Sequence, residues 1–365
     1  MKIAIFHNLQ KGGALNFVTE TVRQLNKKHN VDLYCFEKNI STSLFNKTHL
    51  SKLNKTNNVF TSMCQIFFEL KTKNQEIADK INKKKYDLTI VFPSTLTQSP
   101  YVLRYLNPKN VSIYIFTETK REFYEKTNYK KTLKNLICKI IRFPIKHIDR
   151  TNCKHAKNIL SISQYSAHLL SKIYKRKSQV VYPGMKFIAP TKILTSNNKK
   201  LLSVGVLQKI KGHDFSIKQI SKIKCQFTIL GRKNKKDETI KKLIKNKTNI
   251  KLIHDENNQK KEKRYKEHSF FLANQNKEPF GLSTLEATNY NCYVFGKNEG
   301  GTSEIIKHGI NGFLYPNRIK TSAKALQQKI HQKNVVIIKN CKIDWKESTE
   351  HLLYLYHYLK NEPTE

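Results

Sequence analysis

Glu278-Pro-Phe-Gly-Leu-Ser-Thr-Leu-Glu286 is the stretch whose reading decides the fold. The apolar residues 270–273 before it have the length and composition of a strand, and 282–287 after it read as a helix. Pro279 and Gly281 bend the chain between the two. A strand that turns through proline and glycine into a helix is the repeating unit of a parallel, helix-covered sheet. The start of such a helix has N–H groups without intrahelical partners and a partial positive charge. A diphosphate placed there is stabilised without any cationic side chain. Two carboxylates, Glu278 and Glu286, lie on either side of the turn, one ahead of the helix and one inside it. The competing reading is a structural helix start with two surface glutamates, and an isolated pair would favour it.

Working outward, residues 201–204, 227–230, 250–253 and 293–295 are further strand candidates, with helix-like sequence near 213–223 and a Lys-rich helix through Leu243. The first half repeats the scheme. Strand 3–6 runs into a polar loop with Gly12 and Gly13, then a helix with Phe17, Val18, Val22 and Leu25 at spacings of three or four, then strand 31–36. Segments 88–92, 111–116 and 159–163 add strands, and Val180-Val-Tyr-Pro-Gly184 ends the series. Residues 189–200 are polar, contain a proline and have no strong period, as a linker does. The predicted architecture is α/β: two doubly wound Rossmann-like domains, 1–188 and 189–344, facing each other across a cleft, followed by a helix over 345–365.

Two more clusters punctuate the second domain. Ser203-Val-Gly-Val-Leu-Gln-Lys-Ile-Lys-Gly-His213 is a strand end, Gly205, then Lys209 and Lys211 before Gly212. A lysine there can neutralise a leaving diphosphate, although in so Lys-rich a chain the glycines carry more information. Glu299-Gly-Gly-Thr-Ser-Glu304 is a glycine turn before another helix, equally readable as a plain strand-to-helix turn.

Composition narrows the class. The 365 residues include 68 Lys and Arg against 27 Asp and Glu, a formal charge of +41. Only nine of the basic residues are arginine; with abundant Asn and Ile, part of that charge is background codon bias. The functional alternative is attraction to anionic lipid, nucleic acid or an acidic substrate. The seven cysteines are odd in number and form no Cys-x-x-Cys pair, so neither a disulfide framework nor a zinc site is expected. A reduced, cytoplasmic compartment is the simpler reading. Residues 1–7 read as a first strand rather than a signal peptide, and no apolar run approaches the roughly 18 residues of a membrane span.

Taken together, the three clusters resemble the family-four retaining glycosyltransferases, group 1 glycosyl transferases of GT-B fold. Nearly the whole chain takes part: residues 1–36 are similar to the family's opening strand, glycine loop and helix, and 161–184, with Ser163, Tyr165 and the Tyr182-Pro-Gly turn, to the end of its first domain. Residues 204–212 are similar to the second-domain opening, 278–287 to the Glu, seven residues, Glu signature, and 300–316 to the closing glycine and Asn-Gly-Phe segment. Residues 345–359 look like the final helix that crosses back to the first domain. The resemblance implies a nucleotide-diphosphate sugar as donor, a hexose passed with retained configuration to a glycan or lipid-linked acceptor, and a place in cell-surface polysaccharide or glycoconjugate synthesis. No cofactor and no bound metal are implied. Glu278 would contact the transferred sugar and Glu286 the ribose. Phe280, Gly281 and Leu282 would lie against the donor, Gly205 in the opening turn beside it. Lys211 would stabilise the leaving diphosphate, and Gly13 would let the first loop approach the phosphates.

Two departures stand out. Val206 replaces the arginine usual after the Val-Gly of the second-domain opening, removing a bidentate phosphate ligand, with Lys209 nearby as compensation. In Ile115-Phe-Thr-Glu-Thr-Lys-Arg121, Thr117 stands where the family often has histidine; it can donate one hydrogen bond to a sugar but does not titrate near neutrality. Glu118 and Arg121 remain. These departures motivate an alternative, a catalytically impaired sugar-nucleotide-binding or scaffold protein. A sugar-nucleotide epimerase on the same fold is a further option. Nucleic-acid binding rests on charge alone, with no zinc finger, RNP-type motif or recognition helix to support it. From 129 to 155 basic and apolar residues interleave, with Leu133, Leu136, Ile137, Ile140 and Ile141 on one helical face. That pattern suits a helix lying on the anionic inner face of a cell membrane, and suits still better a helix packed on its own sheet.

Overall fold

The computed structural model describes residues 1–56, 59–125, 133–185, 200–207, 211–221, 223, 225–231, 237–254, 257–315 and 344–361. The chain divides into two units, Met1–Gly184 with Trp345–Glu365, and Met185–Asp344.

The first unit is built on strands β1 (Lys2–Asn8), β2 (Asn30–Cys35), β3 (Lys47–Leu50), β4 (Leu88–Ser94), β5 (Ser112–Phe116), β6 (Asn158–Ser161) and β7 (Gln179–Val180). They lie in the order β3-β2-β1-β4-β5-β6-β7, every pairing parallel. Helices α1 (Gly13–Leu25), α2 (Val59–Cys64), α3 (Leu70–Lys84), α4 (Arg121–Tyr124), α5 (Leu133–Lys154) and α6 (Gln164–Tyr174) connect them. Leu15, Phe17, Val18, Val22 and Leu25 make the buried stripe of α1, the spacing of a helix that covers a sheet. The Ser163 hydroxyl accepts from Ser166 N at 2.9 Å and caps α6. The helix Trp345–Asn361 also belongs to this unit, and Trp345 stacks on Phe17 of α1 with ring centroids 5.7 Å apart. On the other face, Ala4, Phe6, Tyr34, Val91, Tyr114 and Phe116 pack with Leu70, Ile77 and Ile81 of α3.

The second unit has strands β8 (Lys200–Val204), β9 (Gln226–Gly231), β10 (Ile250–His254), β11 (Phe270–Ala273), β12 (Tyr293–Lys297) and β13 (Gly312–Tyr315), again all parallel, in the order β10-β9-β8-β11-β12-β13. Its helices are α7 (His213–Ile220), α8 (Asp237–Ile244), α9 (Asn258–Glu267), α10 (Leu282–Asn289) and α11 (Thr302–Ile305). Period-two alternation sorts the strand residues to two buried faces. Leu201, Phe227, Phe270, Leu272 and Phe295 pack with Ile217 and Ile220 of α7. Leu202, Phe271, Ala273 and Val294 pack with Tyr265 of α9 and Ala287 of α10. Both faces being covered explains why these strands read as continuous apolar runs.

Each sheet therefore starts in the middle, grows outward one way and then reverses, so its switch point falls between first and fourth strands: β1 and β4 in one unit, β8 and β11 in the other. Open α/β sheets bind ligands at the carboxyl ends of the strands flanking that point. The two doubly wound units match the architecture predicted from sequence. The structure adds β3, β7 and β13, three short strands that the sequence reading does not find. Lys209, and residues 129–132 of the basic segment, lie outside the described residues; so do the side chains of 133–141, on which the membrane reading rests.

Candidate active site

At the switch point of the second unit, the chain leaves β8 toward α7 on one face of the sheet and leaves β11 toward α10 on the other. Lys211 stands on the first connection and Glu278 on the second. Lys211 Nζ lies 2.7 Å from Glu278 Oε2, both side chains about one-fifth exposed at 19%. The Lys211 stem runs along Gly205, where an added Cβ would meet its Cγ and Cδ at 3.5 Å.

Backbone fit fixes this geometry. Gly212 has φ +67°, and a Cβ there would sit 2.3 Å from Asn274 O, so only glycine closes the loop against the end of β11. Asn274 Nδ2 donates to Ser216 Oγ at 2.7 Å, and Ser216 Oγ donates to Gly212 O at 3.0 Å, tying the two connections together. The turn after β12 holds the other side. Gly300 has φ +68° and would place a Cβ 2.6 Å from Glu278 O. Gly301 N donates to Glu278 O at 2.7 Å, and Lys277 N donates to Glu299 Oε1 at 3.2 Å. The third glycine cluster is thus a brace behind the Glu278 backbone.

The helix α10 begins at Gly281, its N-cap, in the left-handed conformation, with no side-chain cap and no acidic residue in the first turn. Its positive end is left for an anion. Phe280 is buried. The hydroxyls of Thr284 and Thr302 are buried without a hydrogen-bond partner among the described residues, and both lie near the Cβ position of Gly281, at 3.4 and 2.9 Å. On α10 itself, Glu286 Oε1 accepts from Lys261 Nζ at 2.7 Å and Oε2 from Tyr265 OH at 2.6 Å. The structure so gathers Gly205, Lys211, Glu278, Phe280, Gly281, Leu282 and Glu286 around the ends of two adjacent strands. Val206 is half-buried in the same connection.

The remaining two candidates lie in the first unit. Gly13 is the first residue of α1 rather than part of the loop before it. Thr117 follows β5 and is buried; its Oγ1 accepts from Gln98 Nε2 at 3.1 Å and its carbonyl from the Ser166 hydroxyl. Glu118 pairs with Arg121 at 3.1 Å. Both candidates sit at the carboxyl edge of the sheet, with β4 between their strands. At the same edge burial pushes His7 down to about 4 and keeps it neutral, while its Nδ1 accepts from Leu9 N at 3.3 Å.

Sequence reading does not find Lys261, Tyr265, Asn274 or Ser216. Lys261 and Tyr265 are four apart in a helix crowded with basic residues, where only the i, i+4 spacing hints at a shared target.

No group of three metal-ligating side chains occurs among the described residues, and no described helix is long and apolar enough to cross a membrane. None of the five cysteines whose side chains are described is in a disulfide.

Residues 186–342 match the family model described as glycosyl transferases group 1. No curated protein sequence matches the chain. Among solved structures, the chain is similar to Anabaena HepE in complex with UDP and glucose (15% identity, TM-score 0.74, 98% of this chain and 100% of that one). It is likewise similar to sucrose-phosphate synthase from Thermosynechococcus elongatus (12% identity, TM-score 0.74, 99% and 100%). A glycosyltransferase from Rickettsia africae aligns with 15% identity and TM-score 0.65 over 99% of both chains. At these identities the likeness establishes a shared fold across the whole chain.

Proposed function

We propose that the protein, whose residues 186–342 match the family model described as glycosyl transferases group 1, transfers a hexose from a nucleotide-diphosphate sugar to a glycan or lipid-linked acceptor, with retention of configuration. The observation that carries this reading is the Lys211–Glu278 pair at 2.7 Å beside the uncapped start of α10. A diphosphate at that helix start meets backbone N–H groups and one ammonium, both aimed where charge develops as the sugar C1–oxygen bond breaks. Lys211 then shares its charge between Glu278 and the leaving diphosphate. Glu278 faces the sugar and holds the positive charge of an oxocarbenium-like state. The acceptor oxygen bonds to C1 on the face the diphosphate leaves, and its proton passes to a departing phosphate oxygen. Glu286 holds the ribose, Phe280 and Leu282 pack against the donor, and Gly205 lies beside the phosphates. The first unit takes the acceptor; Thr117 donates one hydrogen bond to a sugar, and Gly13 lets the first loop approach the phosphates. No metal or cofactor has a step in this scheme.

The UDP and glucose found with HepE support a nucleotide sugar as the donor class. The exposed Phe143 of α5, with the partly buried Arg142 before it in the chain and the basic composition, supports work at an anionic inner membrane surface. Cell-surface polysaccharide synthesis suits that place. Glu278→Gln tests the assignment: kcat for sugar transfer should fall about 100- to 1000-fold with donor affinity held within a few-fold. Unchanged turnover removes Glu278 from the chemistry. The replacements at Val206 and Thr117 favour one other reading, a donor-binding scaffold without turnover; donor binding with no transfer or hydrolysis over a broad acceptor panel would select it.

A further inference from the structure

The carboxylate assigned to the ribose is already held in place by two side chains of a different helix. Glu286 Oε1 lies 2.7 Å from Lys261 Nζ and Oε2 lies 2.6 Å from Tyr265 OH. Residues four apart share a helix face, so α9 presents one ammonium and one phenol to one carboxylate, each to its own oxygen.

The two partners differ in freedom. Tyr265 is fully buried, its ring flat against Tyr290 at 5.3 Å and 2°. The Cys292 thiol lies 3.4 Å from the Tyr265 carbonyl and 3.2 Å from His268 O, which pins the end of α9 to the start of β12. The phenol has one proton and two acceptors within reach, Ser283 O at 3.3 Å and Glu286 Oε2 at 2.6 Å. The shorter, charge-assisted bond takes it. Burial pushes the phenol far above its usual range, so it remains a donor throughout the working pH. Lys261 is different: its side chain is 23% exposed, within reach of a ligand.

Each carboxylate oxygen accepts two hydrogen bonds. One position per oxygen is filled from α9 and one is left, which is the pattern two neighbouring hydroxyls require. A hydroxyl is donor and acceptor at once. When it donates to Oε1, its own oxygen can accept from Lys261, whose ammonium has three N–H groups and spends one on Glu286.

We propose that Lys261, Tyr265 and Glu286 form a preset recognition unit for the vicinal diol of a ribonucleoside diphosphate. Tyr265 is the positioning residue, orienting Glu286; Lys261 contacts a hydroxyl directly and makes the site selective for ribose over deoxyribose. This rests on the reading of Glu286 as the ribose contact. The competing role for the same contacts is structural, a clasp between α9 and α10.

The full-length protein would be titrated calorimetrically with UDP and GDP and with 2′-deoxy-UDP and 2′-deoxy-GDP. The wild type should bind the ribo form of one base at least tenfold more tightly than its deoxy form. Tyr265→Phe, which keeps the stacked ring, and Lys261→Met should each weaken the ribo form about tenfold, as expected for one charge-assisted hydrogen bond, and weaken the deoxy form, which keeps its 3′-hydroxyl, several-fold less. Lys261→Arg should restore most of the difference. Equal loss for ribo and deoxy forms, or no loss, overturns the proposal in favour of the clasp. Glu286→Ala separates the two levels. If it abolishes ribo selectivity while the α9 variants do not, this proposal alone fails. If it leaves selectivity intact, or if no nucleotide binds the wild type, the ribose reading of Glu286 fails and takes the proposal with it.

Discussion

Glu278 owes its position to residues that carry no charge. Gly212 lets the Lys211 loop close on Asn274, and Gly300 lets the β12 turn press on the Glu278 backbone. Gly212→Ala combines a left-handed backbone with a 2.3 Å approach to Asn274 O, so it should cost about 2–4 kcal/mol, read as a lower urea midpoint. Asn274→Ala removes the link to Ser216 and should lower kcat/KM more than thermal stability, by moving Lys211 relative to Glu278. A loss of stability alone would make Asn274 a purely structural residue. Proline and glycine punctuation made this part of the site legible in the sequence. The partners of Glu286 are not legible, because Lys261 and Tyr265 meet it through packing of two helices, and one lysine among many carries no mark.

Among the elements, strands buried on both faces announced themselves as apolar runs, as in Leu201 and Leu202 or Phe270 to Ala273. β3 and β13 did not: each is an edge strand of four residues, and β3, Lys-Thr-His-Leu, is polar and only partly buried. Pairing with a neighbour, not composition, makes them strands. Two elements carry separate predictions. Removing the α6 cap with Ser163→Ala leaves the Ser166 N–H without its acceptor and should cost about 1 kcal/mol, seen as a lower denaturation midpoint with unchanged slope. Trp345→Ala removes the stack on Phe17 of α1 and should cost about 3 kcal/mol. Faster amide exchange should then appear in α1 and in the helix Trp345–Asn361.

At the scale of the whole molecule, acid stability follows from groups buried neutral. Burial pushes His7 and His213 from 6.5 down to about 4. Between those values the unfolded chain binds the proton and the folded chain does not, so stability present above pH 6.5 is lost as pH falls toward 4. Each histidine accounts for about 3 kcal/mol. Asp149 runs the other way: burial raises it from 3.8 to about 6, so its contribution grows as pH falls through that window. Two histidines outweigh one carboxylate. The thermal midpoint should drop between pH 6.5 and 4, and less steeply in His213→Leu; a flat profile in the wild type would contradict the burial of these rings. The central claim, a nucleotide-sugar donor held at the switch point of the second unit, is met most directly by equilibrium binding of UDP-, GDP-, ADP- and CMP-sugars to the wild type and to Glu286→Ala. The account predicts that one nucleotide series binds the wild type and that Glu286→Ala weakens it at least tenfold. Absence of binding by every series, or equal binding by both proteins, would contradict it.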